Sequence, residues 1–222
     1  MKASIRIAAL LGLCSGLLAG GGCRFSLLGG RAGHTVLYYE LPAVRVEAVS
    51  ADSWSRKCVL LLDDFYCAAK YDDRFYVAMR GQQVRPVSSR RWIQPPDQLL
   101  TGALHAACVQ SGLFRHVLRD RTAVQPDLRL TGSVLLFEQQ RDATGRHAAV
   151  LELSVLLTRE TECGGAAGGK HADTSIWSTT LKFEEPLAKD SADAFAAAMG
   201  RNVNTAISRI LHDIAALPAP GA

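Results

Sequence analysis

The sequence predicts an α+β fold: a single domain with a mainly antiparallel sheet and two helices packed on it, the C-terminal one long. The first observation is a period of two. Leu128, Leu130, Val134 and Leu136 alternate with Arg129, Thr131 and Ser133, and Leu151, Leu153, Val155 and Leu157 alternate with Glu152, Ser154 and Thr158. Trp177, Thr179, Leu181 and Phe183 repeat the pattern. Strands with one covered and one wet face, joined by turns, form an antiparallel meander. The second observation is a helical stripe: Phe195, Met199, Val203, Ile207, Ile210, Ile214 and Leu217 recur three or four residues apart. The third is a shorter helical pattern, Leu100, Leu104, Ala107 and Cys108, set between Pro96 and Gly112.

The chain opens with Lys2 and Arg6, followed by an apolar run over 7–19. That run is shorter than the roughly 20 residues a bilayer crossing needs, but it suits a secretory signal. Gly20-Gly21-Gly22-Cys23 follows, and three small residues directly before a cysteine resemble the lipobox at which bacterial lipoproteins are cut and acylated. Cleavage there gives a signal peptide over 1–22, a lipidated Cys23 with a tether over 23–33, and a folded domain over 34–222. The rival site, Ala19-Gly20-Gly21, fits ordinary signal peptidase and would release a soluble chain beginning at Gly22. Cysteine parity favours the first reading, because acylation of Cys23 leaves an even set: Cys58, Cys67, Cys108 and Cys163. Ten tether residues reach at most about 35 Å. Arg24 and Arg31 within them either meet anionic headgroups or are simply solvated.

Along the domain, residues 36–41 read as a strand carrying Tyr38 and Tyr39 and stopped by Pro42. Residues 58–65, 75–79, 83–92 and 114–118 are further strand candidates. Pro96 suits a first helical turn and Asp97 a cap, while Gly112 ends that helix. Asp142-Ala143-Thr144-Gly145 turns the meander. Asp190 or Ser191 caps the last helix, and Pro218 and Pro220 stop it. Gly200, mid-helix, costs about 1 kcal/mol relative to Ala unless a close contact requires it.

Composition narrows the chemistry. Hydrophobic residues make up 48% and charged residues 21% of 222 residues, an ordinary globular balance. Net charge is +4, and no run of five basic residues occurs, which argues against nucleic acid as a partner. The histidines lack metal-ligand spacing and no Gly-x-Ser-x-Gly elbow appears, so neither a metal, a cofactor nor a catalytic site is expected. Gly164 to Lys170 fits the first seven positions of a P-loop, but His171 stands where the magnesium-binding hydroxyl belongs, and the stretch reads as a hairpin tip. Asp63-Asp64 and Asp72-Asp73 lack a calcium-loop pattern and read as solvated turns. Cys58, Cys67, Cys108 and Cys163 admit three pairings into two disulfides, although Cys108 on an apolar helix face is expected to be a buried free thiol.

The order of landmarks resembles the ABC-type transport auxiliary lipoproteins, outer-membrane components of Mce-type lipid transport systems. It comprises the cysteine, then Tyr38-Tyr39-Glu40-Leu41-Pro42, Arg91-Trp92 before a helix, and Leu113-Phe114-Arg115-His116-Val117 after it. Leu130-Thr131-Gly132-Ser133-Val134-Leu135-Leu136-Phe137-Glu138 and a closing amphipathic helix complete it. The resemblance implies a non-enzymatic component held at the periplasmic face of the outer membrane by its lipid. It implies as partners an Mce-type periplasmic protein with an ABC ATPase and permease, moving phospholipid or another apolar solute between membranes. Arg24 after the cysteine, where Asp commonly signals inner-membrane retention, agrees with the outer membrane. Arg91 and Trp92 are the candidate partner contacts, against the plainer alternative of a buried tryptophan. A homo-oligomer is compatible with the sequence. A structural or assembly lipoprotein serving cell-wall synthases or secretion pores is the alternative function.

Overall fold

The computed structural model describes residues 35–46, 54–79, 83–120, 124–160 and 174–218. Nearly all lie in one compact unit, Val36–Ala222. Among the described residues nine strands form one sheet: β1 (Leu37–Tyr39), β2 (Val59–Leu62), β3 (Tyr66–Cys67), β4 (Arg74–Met79), β5 (Gln83–Trp92), β6 (His116–Leu118), β7 (Leu128–Arg141), β8 (His147–Arg159) and β9 (Thr174–Pro186). The described residues also form two α-helices, α1 (Pro96–Ser111) and α2 (Ala192–Ala215), and a short 3-10 turn over Trp54–Lys57.

The meander is β7, β8 and β9, antiparallel throughout and turned at Asp142, which accepts from the Thr144 and Arg146 amides. β7 is the spine. Its second edge takes β2, β3 and β4 in succession, all parallel to it, with Leu60 opposite Leu128, Tyr66 opposite Ser133 and Val77 opposite Gln139. The stretch 59–79 therefore runs beside β7 as one interrupted strand. β5 then pairs antiparallel with β4, β1 pairs parallel with β5, and β6 pairs parallel with β2. The sheet is thus mixed: its three longest ladders are antiparallel and its short ones parallel.

Both helices lie against the sheet, α1 on β3, β6 and β7, and α2 on β8 and β9. The core between them joins Leu60, Leu128, Leu130, Leu151, Leu153 and Val155 of the sheet to Leu100 and Leu104 of α1 and to Phe195, Met199, Val203, Ile207, Ile210 and Ile214 of α2. The stripe read from the sequence is therefore the buried face as far as Ile214, while Leu217 lies past the helix end and is half-buried. Ser191 caps α2, its hydroxyl accepting from the Ala194 amide at 3.2 Å. α1 differs from expectation at its start: Pro95 occupies the cap position with no side-chain bond, and Asp97 sits in the first turn, where the helix dipole favours a carboxylate. Gly112 ends α1 at φ 61, a conformation natural to glycine.

Gly132 explains the Leu-x-Gly-x-Val portion of the β7 motif. A Cβ there would stand 2.5–2.8 Å from three ring atoms of Phe65, too close for any side chain.

Candidate functional site

The segment over 37–46 is fastened to the domain at successive points. β1 lies on β5 with Tyr38 opposite Arg91, and the Tyr39 carbonyl accepts from the Ile93 amide at 2.8 Å. The Tyr39 hydroxyl donates to Asp193 of α2 at 3.1 Å; burial, and then this bond, raise its pKa. Pro42 lies on Gly200, where an added Cβ would overlap the proline ring, so Gly200 marks a close contact. The Arg45 amide then donates to Asn204 at 3.1 Å. Between this segment and α1 runs a groove of about 250 Å³, lined by Leu41, Val44, Leu99 and Ala103 and by Gln94, Gln98 and Gln110.

Arg91 and Trp92 are adjacent on β5 and so point to opposite faces. Trp92 is 1% exposed and belongs to an aromatic cluster, with ring centroids 4.5 Å from Phe75, 5.3 Å from Phe137 and 5.9 Å from Phe195. Trp92 is therefore a core residue, in place of the partner contact read from the sequence. Arg91 donates to both oxygens of Asp73 at 2.9 Å and keeps 36% of its side chain exposed, so it stays reachable.

Large apolar side chains are exposed at and beside β1, among the polar Glu40, Arg90 and Arg91. Leu37 is 51%, Tyr38 65% and Ile93 56% exposed, and β1 ends the strand order with β5 as its one neighbour among the described residues. Sequence reasoning missed Leu37 and Ile93. Alternation signals only Tyr38, which faces outward because Tyr39 turns toward the core; Leu37 shares the side of Tyr39 and Ile93 stands past the strand end, so neither was marked by it.

The acidic pairs bind arginines. Asp63 pairs with Arg129 at 2.6 Å, Asp64 with Arg119, Asp72 with Arg74 at 2.7 Å and Asp73 with Arg91. The Arg74 guanidinium, helped by the Arg74 amide and the Tyr76 hydroxyl, holds the Asp72 carboxyl down to about 2. No group of three or more His, Cys, Asp or Glu side chains able to hold a metal occurs among the described residues. A further carboxylate, Glu138, is buried on the opposite face of β7 from Phe137. It accepts from Tyr71 at 2.6 Å, Lys70 at 3.3 Å and Gln140 at 3.1 Å.

Cys58, Cys67 and Cys108 are free thiols. The even cysteine count therefore does not reflect two disulfides, and parity lends no weight to the cleavage site; Cys108 is buried as expected. Burial pushes Cys67 and Cys108 up to about 12, which keeps both protonated and unreactive at neutral pH. Cys23, Cys163 and the stretch from Gly164 to Lys170 lie outside the described residues.

The mixed sheet, the two helices on one face and the strapped amino-terminal segment define an α+β domain whose prominent surface feature is an apolar sheet edge and whose buried polar groups are paired internally. The sequence profile described as "ABC-type transport auxiliary lipoprotein component" matches residues 39–211, and the chain belongs to that family. A crystal structure of a protein from Xanthomonas campestris is similar, with a TM-score of 0.68 and 19% identity over 81% of this chain and 95% of that one. A second crystal structure, of an uncharacterized protein, has a TM-score of 0.60 and 17% identity over 81% and 99%. At these identities the likeness shows the fold. No curated protein matches.

Family membership makes the chain a transport auxiliary component of the cell envelope. No helix among the described residues is long and apolar enough to cross a membrane.

Proposed function

We propose that the protein is a non-enzymatic, lipid-anchored docking component of an Mce-type ABC transport system, acting at the periplasmic face of the outer membrane. Acylation at Cys23 would hold it there, since more than one acyl chain gives stable membrane anchoring. Phospholipid or another apolar solute is the cargo, moved by an ATPase and permease in the inner membrane through an Mce-type protein between the two membranes. The family match over 39–211 carries this reading. Two features of the domain support it. The paired carboxylates of Asp63, Asp64, Asp72 and Asp73 are engaged with arginines, and Cys67 and Cys108 are protonated rather than nucleophilic. The tether then raises the local concentration of the domain for a partner approaching across the periplasm.

The partner test is affinity purification of the protein from detergent-solubilised envelopes of its native cell. An Mce-type protein with its ATPase and permease is the expected recovery. Cell-wall synthase or secretion-pore subunits in their place would contradict the reading and favour an assembly lipoprotein.

A further inference from the structure

We infer that the outer edge of β9 is an interface between two copies of this chain, paired antiparallel about a two-fold axis through Thr180 so that the sheet runs on from one copy into the other. This interface is independent of the anchor at Cys23 and of the transport role.

The sheet ends differently on its two sides. Among the described residues β9 pairs with β8 alone, as β1 does with β5 and β6 with β2. β1 and β6 are three residues long, and short edge strands discourage further pairing, whereas β9 has thirteen residues. Its first eight, Thr174 to Leu181, include no charge, proline or glycine, and Ile176, Trp177 and the threonines favour strands. That stretch lacks the usual deterrents to a further strand.

The core is also unfinished at this edge. Trp177, Thr179, Leu181 and Phe183 stand opposite Leu157, Val155, Leu153 and Leu151, on the face that α2 covers. The four β8 residues are buried, while the four on β9 are only half-buried. A neighbour bringing its own strand and helix would close this face.

Self-complementarity names the neighbour. One antiparallel register pairs all thirteen residues with a second copy, and it sets Thr180 opposite itself. Trp177 then meets Phe183 of the second copy on the covered face, once on each side of the axis. Lys182 meets Ser178, Glu184 meets Ile176 and Glu185 meets Ser175, so no like charges are opposed. The size agrees. Thirteen residues span about 43 Å, and a strand layer with its helix layer is about 20 Å deep, a face of roughly 850 Å² against the roughly 800 Å² per partner of a stable interface. With strands about 4.8 Å apart, two helices each seated over β8 and β9 stand about 10 Å from one another, the spacing of packed helices.

Cross-linking in the native envelope and sedimentation of the full chain test the interface. Thr180→Cys should be joined into a covalent dimer by a short bismaleimide, since opposed Cα atoms lie about 4.5–5.5 Å apart. Thr174→Cys should not, because its two copies lie a strand length, about 40 Å, apart. The wild type, with its native thiols, sets the background. Ser178→Lys together with Thr180→Lys opposes like charges at three points, two against Lys182 and one on the axis. That variant should weaken dimerisation at least about tenfold in sedimentation velocity of the detergent-extracted protein. Both positions are exposed, so it should keep the unfolding midpoint of the wild type. A monomeric wild type, equal cross-linking at Thr180→Cys and Thr174→Cys, or a lysine variant that dimerises as tightly as the wild type would each overturn the interface. None of these outcomes bears on Cys23 or on the transport partners, so the docking role is judged separately.

Discussion

Substituting Gly200 by alanine isolates the contact that fastens the amino-terminal segment to α2. In an unobstructed helix interior this change stabilises by about 1 kcal/mol. Here the new Cβ would overlap Cγ and Cδ of the Pro42 ring, and overpacking of that kind costs roughly 1–3 kcal/mol. Gly200→Ala should therefore destabilise the wild-type domain by about 1 kcal/mol, a fall in Tm of about 2–4 °C. In a Pro42→Ala background the obstruction is gone, and Gly200→Ala should stabilise by about 1 kcal/mol. The sign reverses, and the coupling energy of the cycle is about 2 kcal/mol. Urea titrations of the four proteins, with equal m-values as the check on two-state behaviour, measure it. If Gly200→Ala stabilises both backgrounds equally, Pro42 does not sit on α2.

Two further perturbations probe polar groups. Tyr71→Phe removes the 2.6 Å bond to buried Glu138 and should cost about 1.5–3 kcal/mol in urea unfolding; a change within 0.5 kcal/mol, roughly the scatter of surface substitutions, would contradict the burial of that carboxylate. Asp72 titrates lower in the folded protein than its ordinary 3.8, at about 2, so it stabilises the fold above 3.8 and loses that contribution as pH falls toward 2. Comparing the wild type with Asp72→Asn by denaturant titration across this window should show a stability difference that is full near pH 5 and shrinks with acidification. A difference that is constant or grows as pH falls would contradict the Arg74 pairing.

The meander and the long helix were legible because each strand of β7, β8 and β9 has one covered face and α2 buries one stripe, and such faces leave a period in the sequence. Proline and glycine marked the ends of α1 for equally local reasons. The parallel pairing of β2, β3 and β4 along β7 was not legible. Their partners lie 68, 67 and 62 residues away, and side-chain alternation identifies a covered face without saying which strand lies beside it. β3, two residues long, has no period to read.

The site divides in the same way. Arg91-Trp92 was visible as a dipeptide, but its two side chains part across the sheet, one to Asp73 and the other into the aromatic cluster. Ile93 stands just past the strand, where alternation no longer predicts a direction. The pairing of each acidic residue with an arginine depends on contacts as distant as Asp63 with Arg129, which no local pattern reveals. Free thiols at Cys58, Cys67 and Cys108 likewise show that an even count of cysteines is not a framework of bridges.

A docking role at the outer membrane stands or falls on whether the native polypeptide begins at residue 23 with fatty acid on its thiol. Intact-mass spectrometry of the protein extracted from its own cells reads this directly. The account predicts a mass equal to residues 23–222 plus acyl chains at Cys23, whereas an unmodified product starting at Gly22 would contradict it.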